Sequence, residues 1–368
     1  MTSPDPRMAR ATAPVARARD IANVRFVRPD LNRTTAFLGD FGLLAGPSGG
    51  EPSARRRSFS AAGGYGPCYI AEQGPRPVFL GFSLAMASPA DLEALAGLPG
   101  SGPVEPAEDW PEGLQVRLKD PAGNDVRGVF GPPRAPSPDR LPLDQNLTTP
   151  RRRLNAMQRP PAGPSNVLRL GHVVINVVDF FRSVRWYIDT FGLIPSDIQT
   201  LPDGDAAIVF LRCDRGDEPT DHHTLVLVQN VENGYSHCAF ECIDVDDIAM
   251  GQEHLLSRGW THAWGVGRHL LGSQLFDYWR DPWGDKVEHF VDSDMFTAAR
   301  PTDVTPLTSG GLYQWGPPLP ADFEAPRITP AFLWRAIRNV RRSPEMTFAR
   351  MFALLKIIQK PPRPWARH

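Results

Sequence analysis

Residues 22–27 set apolar Val24 and Phe26 between polar Asn23 and Arg25, a period of two that predicts a strand. A helical spacing follows over 31–39. The same reading places a strand around 78–84, a helix from residue 90 and a strand pair closing over 120–130. After a long irregular stretch the pattern resumes with a strand at 172–178, a helix at 179–191 and strands at 207–211 and 223–229. It then starts again: strand 237–243, helix 245–257 and a closing hairpin of 274–279 and 286–291. In both later units a His opens the strand and an Asp follows seven residues on (His172 to Asp179, His237 to Asp244), where its carboxylate suits a helix N-terminus. Past residue 300 the chain turns Pro- and Gly-rich, then shows helical patterns over 331–341 and 344–359. The last of these is basic and amphipathic through Phe348, Met351, Phe352, Leu355 and Ile358, and is expected to pack on its own domain or a subunit neighbour.

The pattern also repeats on a larger scale. Asp281-Pro282-Trp283-Gly284-Asp285-Lys286-Val287-Glu288 has an imperfect twin in Asp120-Pro121-Ala122-Gly123-Asn124-Asp125-Val126-Arg127. Residues 21–27 match 170–176 with Asn23 in the place of His172, and both stretches run on to Phe-Gly-Leu (41–43 and 191–193). Gly81-Phe82-Ser83-Leu84 matches His237-Cys238-Ala239-Phe240. Nested repeats of this kind predict an α+β fold of four βαβββ modules in two tandem domains, each a curved mixed sheet enclosing a funnel-like cavity. The expected boundaries are a disordered or extended tail at 1–19, a first domain at 20–132, a Pro/Arg-rich linker at 133–166, a second domain at 167–299 and an extension with amphipathic helices at 300–368. The linker holds Arg151-Arg152-Arg153, expected to be a solvated turn or an interface contact.

Composition narrows the function without naming it. The 368 residues, 41% of them hydrophobic, suffice for two cores, and the 39 prolines fall mostly outside the periodic segments. A net charge of −1 gives no electrostatic reason for nucleic acid or an anionic membrane. No apolar run approaches the roughly 18 residues of a membrane span, and residues 1–20 lack the apolar stretch of a secretory signal. Cys68, Cys213, Cys238 and Cys242 form no C-x-x-C pair. Cys238 and Cys242 share a strand face as buried apolar residues, which fits a reducing cytoplasm.

The candidate chemistry sits where the halves differ. The second half has His172, His237 and Glu288 at matched module positions, and the first has Asn23, Gly81 and Arg127. Strand alternation lets a curved sheet bring the three onto one concave face. Two imidazoles and one carboxylate make the facial triad of non-haem Fe(II), with Mn(II) and Zn(II) chemically compatible. An isolated His or Glu on a strand is usually structural, but here the ligand types disappear together from the other half. His254 on a helix, His262 in a loop and His289 on the opposite strand face are expected to be structural or solvated, as is His368 at the terminus. His222, beside His223 but facing the other way on a strand, ranks below it. Trp283 is expected either to pack on the hairpin or to shape the site entrance, and Asp277 and Asn176 are weaker second-layer candidates.

The second half resembles the catalytic domain of the type I extradiol ring-cleavage dioxygenases, of the vicinal oxygen chelate superfamily. The resemblance is close over 168–295 and loose over 20–130, which corresponds to the family's metal-free N-terminal domain. It rests on Gly171-His172-Val173-Val174-Ile175, on Ser236-His237-Cys238-Ala239-Phe240 and on the run from Asp281-Pro282 to Glu288. Two further segments, Asp221-His222-His223-Thr224-Leu225 and His269 to Tyr278, are similar to those carrying the family's other functional residues. The resemblance implies His223, His269 and Tyr278 as catalytic residues. His269 and Tyr278 would bind or deprotonate the substrate oxygens, and His223 would supply or accept a proton during the oxygen chemistry. It further implies Fe(II) as cofactor, a substituted catechol and dioxygen as partners, and meta cleavage to a muconic semialdehyde-type product in aromatic catabolism. A cytoplasmic homo-oligomer with no nucleic-acid or membrane partner is expected. The alternatives are another metalloenzyme of the superfamily, such as a glyoxalase-like isomerase, or a non-catalytic small-molecule-binding protein. Which catechol is the substrate, and Fe(II) against Mn(II), stay open at this point.

Overall fold

The structure is a computed structural model that describes residues 5–46, 55–110, 112–131, 142–323 and 328–358. The very start of the tail, the linker at 132–141, the C-terminus after 358 and the side chains of Leu355 and Ile358 lie outside the described residues.

The first half consists of β1 (Ala18–Arg28), α1 (Leu31–Phe41), β2 (Leu44–Ala45), β3 (Arg56–Ser60) and β4 (Tyr69–Gln73), then β5 (Val78–Met86), α2 (Pro89–Ala96), β6 (Glu105–Pro106), β7 (Leu114–Lys119) and β8 (Asp125–Phe130). The second half repeats the plan. Its first module is β9 (Val167–Val177), α3 (Phe180–Phe191), β10 (Ile194–Thr200), β11 (Ala206–Arg212), the short β12 (Thr220–Asp221) and β13 (Leu225–Gln229). Its second is β14 (Gly234–Cys242), α4 (Val245–Ser257), β15 (Thr261–His269), β16 (Leu275–Arg280) and β17 (Lys286–Val291). The extension adds β18 (Met295–Phe296), β19 (Asp303–Pro306), β20 (Tyr313–Trp315), α5 (Pro330–Arg342) and α6 (Phe348–Ile358).

Two large mixed sheets result. Their orders are β2-β3-β4-β1-β5-β8-β7-β6 and β19-β10-β11-β13-β9-β14-β17-β16-β15-β20. In each, the opening strands of the two modules pair antiparallel at the centre, β1 with β5 and β9 with β14, and each has its own module's last strand parallel on the other side. A parallel neighbour requires a long crossover, which the helix and meander of each module supply. The registers agree residue by residue. Asn23 pairs with Ser83 and Ser83 with Arg127, while His172 pairs with Ala239 and Ala239 with Glu288. Gly81 lies against Asp125 as His237 lies against Lys286. So Asn23, Gly81 and Arg127 occupy the places of His172, His237 and Glu288. Gly81 has φ +148°, and a Cβ there would lie 1.9 Å from the Asp125 carbonyl oxygen.

One hydrophobic core runs through both halves. Phe26 of β1 meets Tyr235 edge-on with ring centroids 5.1 Å apart, and Phe82 stacks on Tyr187 of α3. Fully buried Phe41, at the end of α1, packs edge-on to Phe240 and stacks on the His289 ring at 3.7 Å. His289 Nε2 donates to the Phe41 carbonyl at 2.8 Å. This settles the role of His289 as a structural one between the halves. Phe41→Ala is expected to cost about 3–5 kcal/mol of stability through lost burial and a residual cavity, read as a lower urea midpoint at unchanged slope. The buried Arg28 guanidinium pairs with Asp281 at 2.9 Å and Asp285 at 2.6 Å, tying β1 to the turn that leads into β17. Trp283 in that turn points to the first half, its Nε1 3.4 Å from Thr34 Oγ1, so it packs between the halves.

Several elements depart from the sequence expectation. Residues 5–17 run against the second half: Val15 and Ala16 donate to the carbonyls of Asp189 and Thr190, and Met8 and Ala16 are buried. The expected capping of α3 by Asp179 does not form. Glu345 of the extension accepts from the Phe181 and Arg182 amides at 2.7 and 3.1 Å instead, and Asp179 receives the Ser343 hydroxyl. Asp244 does cap α4, accepting from the Asp247 amide at 2.8 Å. The extension also adds strands, β19 beside β10 and β20 beside β15. Arg151 and Arg152 are exposed, while Cys238 and Cys242 are buried and unpaired.

Candidate metal centre

The three central strands β9, β14 and β17 set the site. Their pairing puts His172, His237 and Glu288 on one face of the second sheet, with one ligand atom from each within 4.8 Å of the others. His172 Nε2 and His237 Nε2 lie 3.4 and 3.5 Å from Glu288 Oε2. His269 Nε2 lies 3.5 Å from Oε1, on the other side of the carboxylate.

Glu288 is completely buried, and neither of its oxygens has a hydrogen-bond partner. Burial pushes its carboxyl up, but the facing His172 and His269 imidazoles hold it well below the usual carboxylate range, so it stays ionised. A buried anion with no donor is costly unless a cation meets it. Burial likewise pushes His237 well below the ordinary histidine range, with Glu288 opposing and His172 adding to the effect, which leaves a neutral imidazole able to ligate. A dication fits this donor set: two imidazoles and an orphaned carboxylate, with coordination positions left over.

The catalytic candidates flank the triad on two sides. On β15, His269 donates from Nδ1 to the Leu312 carbonyl at 2.7 Å, which leaves Nε2 free to accept from the Tyr278 hydroxyl at 2.9 Å. Tyr278, on β16, sits edge-on to His237 with centroids 5.2 Å apart. On the opposite side His223 packs 4.2 Å from His172, ring to ring. Burial, and then the neighbouring His172 and His222 rings, push His223 well below its ordinary value, so it is neutral.

The expectation for His222 is corrected. Neither His222 nor His223 lies in a strand, because β13 begins only at Leu225. Alternation therefore does not apply, and His222 turns toward His223: their Nδ1 atoms are 2.9 Å apart. His222 Nε2 lies 2.6 Å from the buried Asp197 carboxylate on β10. His262 is also corrected, from a loop to β15, where it bonds Asp277 at 2.7 Å. Asp277 takes Gln252 and Trp279 as well, and as the neighbour of Tyr278 on β16 it faces away from the triad. His254 bonds Asp40 across the halves.

Aromatic side chains wall the site. Trp264 lies nearly parallel to Tyr278, Phe276 stacks on His269 and Phe210 meets His223 edge-on. Phe323 of the extension caps Tyr278 with centroids 5.0 Å apart, and the buried Lys286 ammonium donates to its carbonyl at 2.9 Å. Sequence periodicity gave no sign of Phe323, since its segment has no period.

A curated relative, Metapyrocatechase 2 from Cupriavidus necator, is 30% identical over 322 residues, covering 85% of this chain and 95% of that protein. The chain belongs to the type I extradiol ring-cleavage dioxygenases. Residues 169–289 of this dioxygenase match the Glyoxalase/Bleomycin resistance protein/Dioxygenase superfamily, a span that holds all three triad residues. The Iron-dependent extradiol dioxygenase of Rhodococcus jostii is 28% identical over 128 residues, 32% of this chain and 41% of that protein. Among solved structures, the Mn(II)-bound glyoxalase from Novosphingobium aromaticivorans superposes with a TM-score of 0.67 at 22% identity, over 86% of this chain and 97% of that one. At that identity the likeness speaks for the fold alone.

Proposed function

We propose that this dioxygenase cleaves a substituted catechol beside its diol, using dioxygen, with Fe(II) held by His172, His237 and Glu288 and with His223, His269 and Tyr278 as the catalytic residues. The observation that carries the reading is the completely buried Glu288 carboxylate, which makes no hydrogen bond and has three imidazole nitrogens 3.4–3.5 Å from its oxygens. Manganese fits the same ligands.

When bound, the metal supplies a Lewis acid that makes the diol hydroxyls easier to ionise and an electron relay toward dioxygen. The chain's own residues do the rest. His269 Nε2 is the acceptor for a diol proton, with the Tyr278 hydroxyl as its bonded neighbour, while its Nδ1 stays on the Leu312 carbonyl. That fixed bond holds the ring in the orientation that proton transfer needs. His223, neutral and packed against His172, takes a proton and returns it during ring opening in this reading. Trp264, Phe276 and Phe323 exclude water and offer flat apolar surface to an aromatic ring.

In this reading residues 20–132 are a metal-free scaffold, 167–299 the catalytic domain and 300–368 an extension that closes the site. Among the described residues no helix is long and apolar enough to cross a membrane, and all four cysteines are unpaired, which supports a cytoplasmic place. Association into a homo-oligomer is supported by α5, which leaves Leu333, Trp334 and Ile337 exposed.

The test is oxygen uptake by the anaerobically iron-loaded protein over a panel of catechols. The expected result is one dioxygen consumed per catechol, with a coloured ring-fission product. No uptake across the panel with either iron or manganese would sink the proposal.

A further inference from the structure

We propose that Asp197 and His222 are positioning residues that set the tautomer of His223, so that its Nε2 meets the substrate as a proton acceptor. This rests on the ring-cleavage reading for what His223 does, and on geometry for how it is held.

The chain of bonds starts at Asp197 on β10, which is buried with its Oδ2 2.6 Å from His222 Nε2. A carboxylate oxygen accepts, so His222 carries its proton on Nε2. In the neutral form that the proposal assigns to His222, Nδ1 is bare, and that atom lies 2.9 Å from His223 Nδ1. On that assignment His223 Nδ1 is the donor. Its single proton is used on this bond, and Nε2, at the far edge of the ring, is left with a lone pair. The logic is that of an orienting carboxylate fixing a catalytic imidazole, extended by one ring.

The segment that holds these rings is clamped. Arg169 grips neighbouring Asp221 with two bonds of 2.7 and 2.8 Å. The His222 amide donates to the Asp294 carbonyl at 2.9 Å, and the Thr224 amide to that of Leu211 at 2.7 Å. The backbone at Gly272 passes so close that a Cβ there would lie 3.1 Å from His222 Nδ1. These contacts hold the His222 ring beside His223, so the proposed tautomer is set before substrate arrives. His223 therefore enters the reaction by taking a substrate proton onto Nε2. Protonated, it still donates from Nδ1 to His222, and it later returns the same proton to the product, so none is gained or lost.

Nitrogen-15 NMR of the zinc-loaded full chain, with labelled histidine, reads the tautomer directly. The wild type should show His223 protonated at Nδ1 and bare at Nε2. His222→Leu removes the acceptor and should move the proton to Nε2. In the iron enzyme it should lower kcat by about 10- to 100-fold, with KM for the catechol changed by less than about threefold. His222→Gln should restore both, because its amide oxygen can accept from His223 while its NH2 donates to Asp197. Asp197→Asn, which leaves His222 in place, should lower kcat in the same way and serves if His222→Leu does not fold. A wild-type His223 protonated at Nε2, or an unchanged tautomer and kcat in the folded variants, would overturn the proposal. A wild type that consumes no oxygen overturns the ring-cleavage reading instead, and the tautomer measurement still stands.

Discussion

Glu288→Ala should strip the protein of iron and of ring cleavage while leaving it folded. Glu288 is the single carboxylate of the triad, buried in the strand that both His172 and His237 face. Two imidazoles alone supply neither the third ligand nor the negative charge that compensates a dication. Loss of even a group that only supports a ligand typically costs about 10- to 100-fold in metal affinity, and removing the ligand itself should cost more. The fold should survive, because the carboxylate makes no hydrogen bond that the sheet depends on. Metal analysis after gel filtration, with circular dichroism on the same sample, checks both halves of the statement. Full iron occupancy in a folded Glu288→Ala protein would remove Glu288 from the ligand set.

His223→Phe should do the opposite: iron stays and turnover falls. His223 is outside the triad, packed against His172 at 4.2 Å, and a phenyl ring of similar shape fills the space without a nitrogen. Loss of a general acid–base group is worth roughly 10²–10⁴ in rate. The effect should therefore appear in the single-turnover rate constant for ring cleavage, with iron content at the wild-type level. Unchanged turnover would show that His223 carries no proton in the reaction.

The sequence made some of this legible and concealed the rest for definite reasons. The triad could be read because the chain contains its own control: Asn23, Gly81 and Arg127 stand at the same register positions with no ligand among them. The modules were readable because their first strands and helices carry clean periods, and α4 and β17 fall where the periodicity put them. By contrast, β10 was missed because Ser196, Asp197 and Gln199 are polar yet buried there, which breaks the apolar signal. The burial of Asp197 makes sense only through its bond to His222, and no spacing rule shows that bond. His222 was misread because alternation was applied to residues that precede the strand. His269 and Tyr278 needed the family resemblance, since their meeting across β15 and β16 is a matter of pairing with a bulge. Phe323 and Glu345 act on partners far away in the chain, and their local sequence carries no trace of it.

Gly81 makes the difference between the halves more than a matter of side chains. Asn23 and Arg127 differ from their ligand counterparts only in side chain, so single substitutions would restore a His and a Glu there. Position 81 is different, since its backbone angle and the Asp125 carbonyl leave no room for any side chain. Building a second metal centre in the first half would require the backbone at Gly81 to retreat from the Asp125 carbonyl before any ligand could be placed there. The first half is thus free to drift as architecture, and selection on chemistry is confined to a single centre in each chain.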